Sequence, residues 1–584
     1  MKRFLSVFLC ALLLSGCGRT TVTQVTTVPT QAADDSSTQN ISAGLIDPEQ
    51  FPDSAPEYAS RFTTQTLIRL SDSGITVDGG EETESVFTSH DIIYYEDRDT
   101  YPSGNPYGEG EDWEKHTAAE AENHTVVNIT APGAYKVTGR LSAGQIRVDL
   151  GEDAWDDPDA VVELILHGAD ITCTVAPAIL FLNTYECDGN WSAEHAKPDV
   201  DTSAAGANLI LELENNISGS HVAKIFKDKD GEKKLWKQDG AIYSYMSMNV
   251  FGPASLGLSA DNEGICSELH LTINGGNISI WSDNDGINTN EDGVSVTTIN
   301  GGRLWINAGL GAEGDGIDSN GYLVINGGIV SCAANPAADA GMDSDLGSFI
   351  NGGTVIALGS NMDWAESKSG QVTMNLQFAQ RQQPGSNIVV TDEKGTVVFA
   401  YTPDPLDLTA RSFTGVILSS PNLRQGQTYR VYTGGTLEGY ASRGYLVDVT
   451  GVKSYTGGTQ MAYTGSDVGM GHGKPGIGGM QPGQMPEDFQ GERPEMPEGL
   501  PEGETFPTGK TPEVGFGGPG MGGQRPEGFD GEIPEGMEPP AIPSGEAPPD
   551  GQPPQGGRGD QNREPSTEFY MADMVNAFSG LTPV

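Results

Sequence analysis

The sequence predicts an all-β fold, wound as a right-handed parallel β-helix of about 25 residues per rung, and three observations carry that prediction. The motif Ile-Asn-Gly-Gly begins at Ile273, Ile299, Ile325 and Ile350, in steps of 26, 26 and 25 residues. A second motif falls between the copies: Asp239-Gly-Ala-Ile-Tyr-Ser244, Glu263-Gly-Ile-Cys-Ser267, Asp285-Gly-Ile-Asn-Thr289, Asp315-Gly-Ile-Asp-Ser319 and Ala340-Gly-Met-Asp-Ser344. Each period also holds several short β-branched runs bounded by Gly, Asn or Asp, with no helix-period segment between them. One such unit cannot bury its apolar face alone, whereas stacked units bury a continuous core. Propeller blades need roughly 40 or more residues per repeat, and the leucine scaffold of leucine-rich repeats is missing.

In chain order, Lys2 and Arg3 precede the apolar run FLSVFLCALLL and then Leu14-Ser15-Gly16-Cys17. A basic start, a short apolar stretch and small residues make an export signal over 1–17. Its ending resembles the bacterial lipobox, which implies lipid attachment at Cys17 and anchoring of the mature chain to the outer face of the bacterial cell membrane. No other segment reaches the 18 or so apolar residues of a membrane-spanning helix. Residues 18–60, rich in Thr, Ser, Gln and Asp, read as a flexible tether. The β-helix is expected over 61–370, interrupted by an acidic and aromatic insertion at about 81–122. A small β element over 371–463 is expected to cap the open end of the last rung. The Gly/Pro/Met-rich stretch 464–566 cannot bury a core and is expected to be disordered. Its Arg558-Gly-Asp560 triplet is best explained by chance. Phe569, Met571, Met574, Val575 and Phe578 suggest one apolar face of a C-terminal helix over 567–584, docked on the body or offered to a protein partner.

Composition narrows the function classes. The formal net charge is −49, from 81 acidic against 32 basic residues. Such a chain repels nucleic acid and anionic lipid headgroups, so an anionic ligand would need a bridging cation. With Cys10 in the signal and Cys17 lipidated, Cys173, Cys187, Cys266 and Cys332 remain. They permit disulfides in three connectivities, with small buried hydrophobes as the alternative; their spacings do not match a zinc site.

The segments LTINGGNISIWSDNDGIN, EGDGIDSNGYLVINGGIV and FINGGTVIALGSNM closely resemble the clostridial carbohydrate-binding β-helix family. So do PAILFLN at 177–183 and SSPNLRQGQTYRVYTGG at 419–435. The resemblance spans roughly residues 62–450. It implies a pectate-lyase-like right-handed β-helix that binds calcium and binds acidic sugars such as polygalacturonate, as well as cellulose. The long insertion, Cys266 in a column of Asn and Asp, and Ala340 in place of the motif's first acid depart from its pattern.

Aligning the second motif by its glycine places Cys266, Asn288, Asp318 and Asp343 in one column and Glu263, Asp285, Asp315 and Ala340 in another. Carboxylates stacked on rungs about 4.8 Å apart repel, and an oxygen-coordinated cation reverses that cost. Ca²⁺ is expected, held by Asp283, Asp285, Asp315, Asp318, Asp343 and Asp345. The alternative is that these acids cap turns through their own backbone. DNDGINTNED at 283–292 is too compressed for an EF-hand loop and lacks flanking helices. The column Asn274, Asn300, Asn326, Asn351 reads as a structural amide ladder.

A non-catalytic polysaccharide-binding protein is expected rather than an enzyme. Between Gln238 and Ser367 the only Lys or Arg is Arg303, and arginine stays protonated and is a poor general base. The first rival is a calcium-dependent polysaccharide lyase using Arg303 or Lys368; the second is a structural surface protein. With Ile278, Ile280, Leu304 and Ile306 pointing inward, Trp281, Trp305, Arg303 and Asn307 point outward. The tryptophans suit sugar rings and Arg303 suits a uronate carboxylate, unless the insertion, the capping element or the C-terminal helix covers them.

Overall fold

The computed structural model describes residues 58–95, 114–222, 225–227, 233–235, 237–403, 410–440, 442–443, 445–468 and 564–584. Cys17 and most of 464–566 lie outside them. Among the described residues the structure is nearly all β.

Three stacked ladders organise the body. The first runs in parallel through Thr125–Ile129, Gly144–Asp149, Ile179–Asn183, Gly240–Ser244, Glu263–Ser267, Ile287–Thr289, Ile317–Ser319 and Met342–Ser344. The second stacks Ala207–Glu212, Met248–Phe251, His270–Ile273, Val296–Ile299, Tyr322–Ile325 and Gly347–Ile350. The third stacks Glu214–Gly219, Ser255–Ala260, Asn277–Ser282, Arg303–Asn307, Ile329–Ala333 and Thr354–Gly359. The chain visits the ladders in turn, so each repeat adds one strand to every ladder.

Isoleucine columns fill the space between the ladders. Ile273, Ile299, Ile325 and Ile350 pair in register across coils and are fully buried, as are Ile265, Ile287, Ile317 and Met342 on the first ladder. Ile278, Ile280, Leu304 and Ile306 join them from the third. The Gly-Gly of the repeat has a steric cause. Gly302 and Gly328 have φ of 86°, and a Cβ on either would lie 2.7–2.8 Å from the carbonyl oxygen of the equivalent glycine one coil earlier.

The asparagines beside them form a ladder. Asn300 Nδ2 donates to Asn274 Oδ1, Asn326 to Asn300 and Asn351 to Asn326, each at 2.9 Å. Asn326→Ala breaks two of these bonds at an exposed position. It should cost about 0.5–1.5 kcal/mol and leave the fold intact, read as a lowered midpoint in urea with an unchanged m-value.

Two expected segments differ. Part of the 81–122 insertion is built into the body: Val86–Ser89 pairs antiparallel with Thr125–Ile129 at the ladder's edge, and Ile92, Tyr94 and Tyr95 are buried in the main core. A one-turn helix, Ala118–Ala121, follows with a capping box from Thr117 and Glu120. The C-terminal helix is also overturned: Phe569–Tyr570 and Val575–Pro583 are strands. Val575–Pro583 lies parallel to Thr373–Gln382, with a register shift between Leu376 and Phe378. Gly580, at φ 66°, lies in that stretch, so Phe578 and Leu581 both face inward three residues apart and mimic a helical spacing.

At the far end Phe413–Ser419 pairs antiparallel with Thr354–Gly359, the last strand of the third ladder, and with Thr373–Gln382. A second apolar cluster, including Ile356, Leu358, Phe378, Phe413, Phe569 and Phe578, packs there. The four cysteines 173, 187, 266 and 332 are free thiols.

Candidate functional site

The first ladder's outward column reads Tyr243, Cys266, Asn288, Asp318, Asp343, each paired with the next. The glycine preceding each strand lets coils close up: a Cβ on Gly286 would lie 2.6 Å from the Gly316 carbonyl oxygen. Close coils force the acids together. Carboxylate oxygens of Asp315, Asp318 and Asp343 lie within 4.8 Å of one another, and all three residues are partly exposed.

The other three expected ligands are placed differently. Asp285 is buried, and its Oδ1 accepts the Asp315 backbone N–H at 2.6 Å. Asp315 does the same one coil on, its Oδ1 accepting from the Ala340 N–H at 2.5 Å. Asp283 and Asp345 are exposed and outside the trio. Turn capping therefore describes Asp285, while Asp315 caps a turn in the same way and also belongs to the trio.

Asp363 is an acid that the repeat pattern does not flag. Its Oδ2 accepts from Ser344 Oγ at 2.8 Å; burial first, then the Asp343 charge, push its carboxyl up to about 7. It follows the last repeat, so no column pointed to it. Burial and then the charges of Asp343 and Asp318 hold Asp315 well above the ordinary carboxylate range. Burial, Glu263, Asp318 and Asp315 do the same for Asp285. Packed acids with unfavourable ionisation and an oxygen-only donor set fit a hard cation such as Ca²⁺. Among the described residues no His or Cys joins the trio, which disfavours zinc or copper.

One corner away, on the third ladder, Trp281 and Trp305 meet edge to face, with ring centroids 4.9 Å apart. Arg303 shares that outer face two residues before Trp305. Tyr445 packs on Trp305 at 5.4 Å and Tyr401 on Tyr445 at 6.1 Å, so the C-terminal element covers the flank of Trp305 while Trp281 stays 36% exposed. Asn307, in register with Trp281 on the outer face, is covered rather than exposed: its Oδ1 accepts from Arg411 Nε at 3.2 Å, and Arg411 also donates to the Ala308 carbonyl at 3.0 Å.

With this geometry in place, likeness to known proteins becomes informative. Residues 123–188 and 204–398 match the family model of carbohydrate-binding domain-containing proteins. The matched stretch holds the acid trio and both tryptophans. A relative named carbohydrate-binding domain-containing protein, from Acetivibrio thermocellus, is 29% identical over 155 residues, which is 26% of this chain. The aligned region spans 44% of that relative's length. Both names describe carbohydrate binding and neither describes catalysis. Among solved structures, the polysaccharide lyase-like protein from C. thermocellum, as a gadolinium derivative, aligns at 20% identity over 50% of this chain and 93% of its own. The TM-score is 0.29, too low to carry an argument.

Proposed function

We propose that this protein is an exported lipoprotein, anchored through Cys17, whose right-handed parallel β-helix binds calcium and polysaccharide. The observation that carries the reading is the match to carbohydrate-binding domains over the coils that hold the acid trio and the exposed tryptophan. Parallel ladders advancing one strand per repeat support the β-helix. Asp315, Asp318 and Asp343 would hold the ion, with Asp363 beside them. A bound cation would let an acidic sugar such as polygalacturonate approach a chain of net charge −49. Trp281, Trp305 and Arg303 would supply stacking and a carboxylate partner.

The side chains do not favour lyase chemistry. Lys237 is ion-paired with Asp239 beside the first ladder's buried acids. Burial alone would lower its pKa, but Asp239 and Glu263 outweigh that and hold it protonated, which is the wrong state for a base.

The test is retardation of the mature chain in gels containing polygalacturonate or cellulose, with calcium and with chelator, assaying the same mixtures for ultraviolet-absorbing unsaturated product. Calcium-dependent retardation without product is expected. Product formation would replace the binder with a lyase, and free migration in every gel would end the carbohydrate reading.

A further inference from the structure

The loops leaving two adjacent strands of the first ladder, Gly144–Asp149 and Ile179–Asn183, enclose a second site far from the acid trio. The first loop carries Trp155 and the second Trp191. Their indole planes are 4° from parallel, with centroids 6.0 Å apart. They wall a cavity of about 360 Å³ that Asp156, Asp188, Asn190 and Ser192 also line. That volume falls within the range of about 300–1,000 Å³ usual for small-ligand sites.

The walls are built before any ligand arrives. Glu186 Oε1 accepts from the Asp188 N–H at 2.8 Å, Asp188 Oδ1 from Asn190 at 2.9 Å and Asn190 Oδ1 from Ser192 at 3.2 Å. Glu186 Oε2 accepts from the Ser247 N–H at 2.6 Å, and the Glu186 N–H bonds the Trp155 carbonyl at 3.1 Å, tying the two loops together. Asp188 Oδ2 lies 3.4 Å from Nε2 of the buried His270, whose Nδ1 accepts from Val296. The His270 imidazole beside it keeps the Asp188 carboxyl below its ordinary value. Trp191, Asn190 and Ser192 fall in the stretch 189–203 that the family model leaves unmatched.

The geometry points to a subsite for an uncharged pyranose ring of a polysaccharide, stacked on Trp191, which the buried Trp155 backs, with its hydroxyls bonded by Asp188 and Asn190. An indole plane suits the CH face of a sugar, and an ionised carboxylate accepts two hydroxyls. No lysine or arginine lines the cavity among the described residues, so a uronate carboxylate would meet only like charge there. The wall belongs to the apolar cluster of Trp155, Leu180 and Tyr243 on the outer face of the first ladder. Leu180 stands four pairings before Asp318 in one column, ~19 Å along the ladder. A single chain lying on this face would reach both subsites.

The inference rests on the carbohydrate-binding reading, and one set of measurements separates them. Calorimetry on the mature chain uses gluco-, xylo- and mannohexaose, while calcium-dependent retention on polygalacturonate is followed in parallel. At least one neutral hexaose should bind equally in calcium and in chelator. Trp191→Ala should weaken it about tenfold or more and Trp191→Tyr should recover most of the loss, with polygalacturonate retention unchanged in both. Asp318→Asn should leave hexaose binding alone. Failure of every neutral hexaose with wild type, or full binding by Trp191→Ala that still retains polygalacturonate, overturns the subsite and spares the function. Loss of both activities in wild type overturns both.

Discussion

Removing residues 564–584 should unfold the C-terminal half of the molecule. The side chains of Phe569, Met571, Phe578 and Leu581 are 0%, 0%, 4% and 1% exposed, all within the second apolar cluster. At about 1.5–3 kcal/mol each, their burial comes to on the order of 6–12 kcal/mol. That is comparable with the whole net stability of a domain, about 5–15 kcal/mol. The deletion would also bare the edge of Thr373–Gln382, since Val575–Pro583 supplies its parallel partner. The contrasting variant removes 469–563 and joins Val468 to Glu564 through a short linker. The two ends are already close, because Tyr463 and Ser566 exchange backbone hydrogen bonds at 2.9 Å in both directions. Thermal unfolding followed by circular dichroism should show the joined variant melting with the full chain and the truncated one melting far earlier or aggregating. A truncated chain that melts with the full one would reduce the last strand to a surface ornament.

That strand also shows where local pattern stops being informative. Phe569, Met571, Met574, Val575 and Phe578 satisfy a helical face on paper, yet an open sheet edge overrides propensity when it offers a full row of hydrogen bonds. The bulge near Gly580 erases the alternation that would have announced a strand. The repeats behave oppositely. Each Ile-Asn-Gly-Gly marks a place where coils approach too closely for a side chain, so its period counts coils directly, and the column Cys266, Asn288, Asp318, Asp343 follows from that count. A column gives proximity but not rotamer: it cannot tell that Asp285 turns to the Asp315 N–H while Asp318 faces its neighbours. Asp363 and the Trp155–Trp191 wall were illegible for a simpler reason. Both are made by loops outside the period, and only the fold brings Trp155 and Trp191 together across 36 positions.

Asp318→Asn should change stability in opposite directions with and without calcium. Asparagine is tolerated at this column, since Asn288 occupies the equivalent position one coil earlier. In chelator at pH 8 the substitution removes one of three carboxylates whose oxygens lie within 4.8 Å, so the metal-free protein should gain about 1 kcal/mol, the scale of a single like-charge contact in water. With calcium the same change deletes a charged ligand and should weaken binding at least about tenfold, or about 1.4 kcal/mol. Wild type at calcium 100-fold over its dissociation constant gains about 2.7 kcal/mol, and the variant at that concentration gains correspondingly less. The melting curves should therefore cross: Asp318→Asn above wild type in chelator and below it in calcium. Asp345→Asn, outside the trio, serves as control and should move neither curve appreciably. A crossing identifies the trio as repelling acids reconciled by a cation. Curves that fall together in both buffers, with calcium shifting neither, would make Asp318 a structural acid and detach the metal from the carbohydrate function.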